Sequence, residues 1–417
     1  MCSWNMVDKL PTMLAGRELK EKLMVLPEYD ESIRLESQAV RLIALIDIYK
    51  VYLPSQMSCE IYSKIYLSML RSLQKKGTKE AVQQRYANYR GMKLQNGYQG
   101  IVGGSDSYTI IGESGIGKSS SISRAVVLAT ENKIIEMEEP YCKIIPALSI
   151  QCPFDCSVKS LLLEILRQVD EMIDSHYFDM AVKSKATVDI LIGSVSNVAL
   201  NHIGLLIVDE IQNVIRHKGG LQLVGCLTQL INNSGISICM VGTPEAEGFF
   251  EGVDYLARRA LGLKYSRYEY DGYFGQFCEV LFHYQYVQNE SELTEGMLQW
   301  LYEHSGGVLA TVVTLIHDAQ EISILNGREV LDISALNEAY EKRMGLMHLH
   351  IKPTVSKAIA KKKIVEQINV NLLTENDIKC LDGEDWSLVE LAEYTKKNQV
   401  DMVELLRERV SVTEIAV

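Results

Sequence analysis

Eight consecutive residues constrain this chain more than any other stretch. Gly112-Glu113-Ser114-Gly115-Ile116-Gly117-Lys118-Ser119 fits the pattern G-x-x-x-x-G-K-[ST] at every fixed position. Residues 107–111 read as a short buried strand entering the loop. Residues 119–129 carry apolar side chains at helical spacing and read as the helix leaving it. Glycines let the backbone approach phosphates, and successive N–H groups at a helix N-terminus point at an anion. The loop from Gly112 to Ser120 is therefore expected to cradle the phosphates of ATP, with Lys118 on the β- and γ-phosphates and Ser119 on Mg2+. A chance glycine-rich turn satisfies looser patterns, but not one that has strand, loop and helix all in place.

A chain of 417 residues, 47% of them hydrophobic, has room for two or three domains. Its net charge of −12 argues against a uniformly basic, DNA-coating protein, yet leaves open a basic surface inside an acidic body, because the field is local. Nine scattered cysteines and no apolar run near Met1 predict a reduced, cytoplasmic protein. Cys152 and Cys156 form the close pair, and without a second pair at zinc spacing they are expected to be packing residues. The most apolar stretch, 190–208, is interrupted by Ser194, Ser196, Asn197, Asn201 and His202, so no membrane span is expected.

Along the chain, residues 1–96 read as a helical N-terminal extension, with amphipathic stretches at 35–49 and 59–73. That extension suits a docking domain for a partner or a helical cap on the neighbouring domain. Strand candidates at 108–111, 144–151, 203–208, 236–241 and, more weakly, 265–270 alternate with helical patterns such as 158–169 and 221–231. Such alternation implies an α/β nucleotide-binding domain over 97–271, with a parallel sheet covered on both faces. Residues 272–343 read as a small helical domain broken at Ser305-Gly306-Gly307. Residues 344–417 read as a basic linker, carrying Lys361-Lys362-Lys363, and then a tail of mixed charge. The lysine run suits phosphate contact or a solvated linker.

Residues 205–210, Leu-Leu-Ile-Val-Asp-Glu, are an apolar run ending in two carboxylates. A buried parallel strand presents its polar residues at its C-terminal edge, where ligands bind in such sheets. Asp209 fits the metal-side carboxylate and Glu210 the group that orients the attacking water, a pairing that implies hydrolysis. A second apolar strand ends at Gly242-Thr243, so the Thr243 hydroxyl suits a place between water and γ-phosphate. Thr243 also suits a helix N-cap before Pro244. Arg258 and Arg259 sit on an otherwise apolar helical pattern. Arginine there suits a finger supplied to a neighbouring subunit's γ-phosphate, or an intramolecular salt bridge.

Together these motifs resemble AAA+ ATPases of the initiator type. More narrowly, Tyr98-Gln99-Gly100-Ile101-Val102-Gly103, Gln151-Cys152-Pro153, Gly204 to Asn213 with its Asp209-Glu210-Ile211-Gln212-Asn213, Gly242-Thr243-Pro244-Glu245 and Leu256-Ala257-Arg258-Arg259 resemble the TnsC/TniB group, ATPases that regulate DNA transposition. The resemblance covers roughly residues 98–320. It implies an AAA+ fold with a helical lid and helical extensions at both ends. It further implies a homo-oligomer, as a ring or helical filament on double-stranded DNA, that connects a target-selection protein to transposase and disassembles on hydrolysis. Carried over by residue, Tyr98, Ile101 and Val102 would flank the adenine, and Lys159, Lys185 and Thr187 would face DNA. One departure concerns the lid: Gly306-Gly307-Val308-Leu309-Ala310-Thr311 lacks the arginine that many AAA+ proteins place there against the γ-phosphate, which predicts slow hydrolysis. A helicase-loader or initiator ATPase and a P-loop signalling switch would carry the same phosphate-binding motifs.

Overall fold

The protein is described from a computed structural model over residues 6–84, 107–138, 141–216, 218–251 and 262–344. The chain divides into two units, Met1–Pro353 and Thr354–Val417, and every described residue lies in the first. The basic run and tail expected from residue 345 on lie outside the described residues.

The sheet comprises β1 (Ser107–Gly112), β2 (Ile135–Glu138), β3 (Tyr141–Gln151), β4 (Ile203–Asp209), β5 (Ser237–Gly242) and β6 (Leu263–Tyr265), in the order β2-β3-β4-β5-β1-β6. Five strands are parallel. β2 turns back to pair antiparallel with β3, an addition that no sequence signal announced. β6 falls slightly earlier than the weak 265–270 signal.

The helices, in chain order, are α1 (Gly16–Leu23), α2 (Gln38–Ala44), α3 (Gln56–Lys76), α4 (Lys118–Thr130), α5 (Val158–Ile173), α6 (Tyr177–Lys183), α7 (Val188–His202), α8 (Asn213–Arg216), α9 (Gly220–Ser234), α10 (Glu247–Glu251), α11 (Gly272–His283), α12 (Glu295–Ser305), α13 (Leu309–Leu325) and α14 (Ile333–Arg343). No helix among the described residues is long and apolar enough to cross a membrane.

Period-two alternation makes three layers. On β4, Leu206 and Val208 join one apolar cluster with α5, α7 and α9, while Leu205 and Ile207 join another with α3 and α4. Helix α5 buries Leu161, Leu162, Ile165, Leu166, Val169 and Ile173. At roughly 1.5–3 kcal/mol for each fully buried side chain, that stripe alone holds the helix on the sheet. The most apolar stretch, 190–208, is α7 running into the central strand β4.

The N-terminal helices share the core of the sheet. Helix α3 starts with a reciprocal cap, in which Ser58 N donates to Ser55 Oγ (3.3 Å) and Ser55 N to Ser58 Oγ (3.1 Å). Ile61, Ile65, Met69 and Leu73 then pack with Tyr108, Ile110 and Val241. At the far end of α3 the buried Lys76 donates to the carbonyls of Ala199 (2.7 Å) and Leu200 (2.8 Å), satisfying the C-terminal turn of α7.

Residues 24–53 form a strap that leaves this core and crosses the helical lid, α11–α14. The single amphipathic stretch read at 35–49 is three short pieces: a 3-10 turn at Glu31–Leu35, α2, and a 3-10 turn at Leu45–Lys50. Tertiary contacts override its helical pattern. Arg41, 2% exposed, makes a two-pronged ion pair with Glu329 (2.6 and 2.7 Å) and donates to Tyr286 O (2.9 Å). Arg34 pairs with Glu290 at 2.8 Å, and the Tyr29 ring meets Tyr284 and Tyr286 edge-on. Leu35, Ile43 and Ile46, expected as part of a broad apolar surface, stand exposed on the outer side of the strap.

Candidate nucleotide-binding site

Register brings the three motifs to one edge. Ile111 pairs with Gly242 across β1 and β5, and Gln151 with Asp209 across β3 and β4. The chain therefore delivers the glycine loop, the Asp209-Glu210 pair and Thr243 side by side at the C-terminal ends of parallel strands, where such sheets bind ligands.

Two glycines shape the loop. Gly115 (φ +79°) and Gly117 (φ +96°) take left-handed backbone that other residues adopt only with strain, and Gly117 opens α4. The Gly115 carbonyl accepts from Ala310 N of the lid at 3.0 Å. A Cβ at Gly115 would come within 2.7 Å of Val308 Cγ1.

Lys118 is buried, and its Nζ donates to the carbonyls of Gly112 and Glu113, both at 2.7 Å. Burial pushes the ammonium below the usual lysine pKa, while Asp209, Glu210 and Glu113 pull it back up. Ser119 Oγ donates to Asp209 Oδ2 at 3.1 Å, and Asp209 Oδ1 accepts from Glu210 N at 2.8 Å. A hydroxyl and a carboxylate in contact at the end of a phosphate loop are the hard oxygen donors that Mg2+ takes.

Glu210 leaves the strand with φ +58°, and its carboxylate accepts from the amide of Gln212. Thr243 does stand at the N-cap position before Pro244, but its side chain makes no capping bond there. Its Oγ1 is buried without a hydrogen-bond partner on the cavity wall. An orphaned hydroxyl, a buried ammonium and an oxygen pair around one cavity fit a magnesium nucleotide triphosphate.

That cavity holds about 430 Å3 and is lined from the loop by Ser114 to Ser121, with Asp209, Glu210 and Thr243. Its other end is built by residues the motifs gave no sign of: Val51, Tyr52 and Leu53 of the strap, Ser55 at the start of α3, Tyr268 and Tyr273 before and within α11, and Leu309, Ala310, Val313 and Thr314 of α13. Tyr52 OH lies 2.8 Å from both Ser58 Oγ and Ser121 Oγ, with the Arg124 guanidinium 4.4 Å above its ring. Tyr268 and Tyr273 stack with centroids 5.0 Å apart. These aromatic surfaces supply what a planar base needs, at the end away from the phosphates. The lid lines the cavity with apolar and hydroxyl groups, and no arginine is among the described lining residues.

The other expected residues separate into two groups. Lys159 lies exposed in the first turn of α5, Lys185 exposed at φ +51° before α7, and Thr187 exposed at the α7 N-cap with no capping bond. Tyr98, Ile101, Val102, Arg258 and Arg259 lie outside the described residues. Cys152 and Cys156 are buried, as a packing role requires.

Residues 103–250 match the family model described as an AAA domain. Over those residues the chain has the fold of an AAA domain, a mostly parallel sheet with helices on both faces behind a phosphate loop. No curated protein matches the chain. Among solved structures it is similar to the Aeropyrum pernix ORC1 protein in complex with DNA, at 13% identity over 81% of this chain and 80% of that one, with a TM-score of 0.41. It is also similar to Drosophila ORC bound to DNA (14% identity, 97% and 85% covered, TM-score 0.40). For domain III of the Thermotoga maritima replication initiation protein DnaA the values are 17%, 63% and 91%, and 0.34.

Proposed function

We propose that this chain is an ATP-dependent AAA+ regulator that assembles on double-stranded DNA and links a target-selection protein to transposase. The observation that carries the ATPase part is the convergence of Lys118, the Ser119–Asp209 contact, Glu210 and the orphaned Thr243 hydroxyl on one cavity. The transposition part rests on the TnsC/TniB-like pieces around Asp209 to Asn213, Gly242 to Glu245 and Leu256 to Arg259.

In this reading the loop N–H groups and Lys118 bind the phosphates, and Ser119 and Asp209 hold Mg2+. The metal would neutralise charge on the β- and γ-phosphate oxygens. Glu210 orients water for attack on the γ-phosphate, and Thr243 donates its hydroxyl beside it. Arg258 and Arg259 complete the site of a neighbouring subunit. Residues 1–96 and 344–417 are the partner-binding extensions, on either side of the domain at 97–271 and the lid at 272–343.

A protein of net charge −12 is repelled by a polyanion unless its basic groups gather on one surface. Lys159, Lys185 and Thr187 give one subunit few phosphate contacts, and assembly multiplies them. DNA binding should therefore require ATP or a non-hydrolysable analogue. It should also weaken with salt, with a log–log slope of about −0.9 per phosphate neutralised.

Anisotropy with duplex DNA across a salt series, with and without nucleotide, tests this. Lys118→Ala should abolish binding, Glu210→Gln should preserve it while cutting turnover to a slow residual rate, and Lys159→Ala with Lys185→Ala should flatten the slope. Equally tight binding without nucleotide would overturn the assembly argument. Nucleotide turnover with no DNA binding under any condition would favour the signalling switch.

A further inference from the structure

The Gln212 side chain spans the two strand ends on which hydrolysis is proposed to depend. Its Nε2 donates to Glu210 Oε2, and its Oε1 accepts from Thr243 N at 3.3 Å. We propose that Gln212 is a positioning residue that couples the Glu210 carboxylate to Thr243, so that the water-orienting group is held in register with the strand end beside the γ-phosphate. This rests on the assignment of Glu210 and Thr243 made above.

The orientation of the amide is set by its partners. A carboxylate only accepts and a backbone N–H only donates, so Nε2 must face Glu210 and Oε1 must face Thr243. The side chain is not free to wander. Gln212 is 7% exposed, and its backbone is fixed on both sides: Ile211 N donates to Val241 O (2.9 Å), and Asn213 Nδ2 to Cys152 O (3.2 Å). Gly242 makes the room. A Cβ at that position would come 2.8 Å from Gln212 Oε1 and 2.8 Å from Ile211 Cγ2.

Glu210 needs such a tether. It is exposed, stands on left-handed backbone at φ +58°, and can swing about several side-chain torsions. Ordering a glutamate costs free energy on each turnover unless a neighbour has already fixed it. Thr243 presents two groups in different states: its N–H is held by Gln212, while its Oγ1 is buried and unpartnered at the cavity. A phosphate oxygen that takes the hydroxyl therefore meets the same residue whose N–H anchors the Gln212 amide, and that amide ties it to the Glu210 carboxylate.

The test uses the full-length chain and two perturbations that approach the amide from opposite sides. Gln212→Met keeps length and burial but removes donor and acceptor. Gly242→Ala leaves the amide chemistry intact and displaces it by a methyl group. Single-turnover ATP hydrolysis and binding of a fluorescent ATP analogue are measured for each, alone and in a Glu210→Gln background, with thermal melts confirming the fold.

Each variant should lower the hydrolysis rate roughly 10–100-fold, the range for losing an outer partner of a functional group. The dissociation constant for nucleotide should stay within about twofold, the signature of a residue that supports the transition state without contributing to nucleotide binding. In the Glu210→Gln background neither variant should slow hydrolysis further, because a residue acting through Glu210 has nothing left to position. Wild-type hydrolysis in both variants would overturn the proposal. So would a loss of affinity matching the loss of rate, or an undiminished further loss in the Glu210→Gln background. If Glu210→Gln itself hydrolysed at the wild-type rate, the assignment of Glu210 would fall first, and this coupling with it.

Discussion

Replacing Arg41 by methionine should loosen the strap from the lid at a cost the structure lets us estimate. The guanidinium is 2% exposed and makes four hydrogen bonds: two to Glu329 (2.6 and 2.7 Å), one to Tyr286 O (2.9 Å) and one to Glu36 O (3.2 Å). Methionine fills the space but leaves the Glu329 carboxylate, whose side chain is 14% exposed, with the weaker contact from Gln288 N at 3.3 Å. Removing one partner of a buried pair typically costs about 3–5 kcal/mol, mostly as uncompensated charge. For a unit of this size that corresponds to a fall in Tm of roughly 5 °C or more.

The pH dependence has a definite sign. The hydrogen bonds from Arg41 hold Glu329 below the usual glutamate pKa. A depressed carboxylate contributes stability that is present above its unfolded value, about 4.3, and lost as pH falls through the folded one. The gap between wild type and Arg41→Met should therefore be full at pH 7 and shrink below about pH 4.3. Replacing both partners, with Glu329→Met added, should restore most of the loss, since well-packed apolar substitutes for buried pairs are often neutral. Differential scanning calorimetry of the three proteins measures all of this. An unchanged Tm for Arg41→Met at pH 7, or a double variant no better than the single, would refute the reasoning.

Two further outcomes can be checked. Gly307→Ala should destabilise by about 3 kcal/mol or more, because Gly307 sits at φ +75° and an added Cβ would lie 2.0 Å from Tyr268 O; urea unfolding within about 1 kcal/mol of wild type would show that this contact is not made. Burial pushes the thiols of Cys152, Cys226 and Cys239 up to about 12, so among the described cysteines iodoacetamide at pH 8 should label the half-buried Cys59 and Cys142 before these three, and mass spectrometry showing equal labelling of the five in the native state would contradict the burial.

What could be read from the sequence was what is local. The phosphate loop is eight adjacent residues whose glycines serve backbone angles, so Gly115 and Gly117 declare their role by position. Asp209 and Glu210 were legible because a buried parallel strand leaves polar side chains only at its end. The base end of the cavity was not, because Tyr52, Tyr268 and Val313 come from three segments far apart in the chain and no spacing links them. Lys76, at the end of α3, is buried against α7 carbonyls, a contact no local pattern encodes because it is fixed only by how α3 lies on the sheet. The stretch at 35–49 misled for the same reason: Arg41 and Gln38 bond to Glu329 and Ile324 O in the lid, and those partners override the helical period. Gln212 was in plain view within a recognised motif, yet its reach to Thr243 depends on the pairing of β4 with β5 and on the missing Cβ of Gly242.

The cavity is enclosed by a circuit of contacts, and this constrains how a bound nucleotide acts on the rest of the molecule. Ala310 N ties the lid to the Gly115 carbonyl at 3.0 Å. Tyr273 OH ties the lid to the strap through Leu53 O at 2.8 Å, and Tyr268, just before the lid, donates its OH to Ser55 Oγ at the start of α3 (2.9 Å). Tyr52 returns the circuit to α4 through Ser121, one turn beyond the lysine of the loop. Loop, lid and strap all contribute residues to the lining of the cavity. A conformational response needs differential contacts between states, and here they are concentrated in a few hydrogen bonds rather than in the deep apolar core. The outer side of the same strap carries the exposed Leu35, Ile43 and Ile46. Cavity-lining residues Val51, Tyr52 and Leu53 and that exposed apolar face thus belong to one segment of chain.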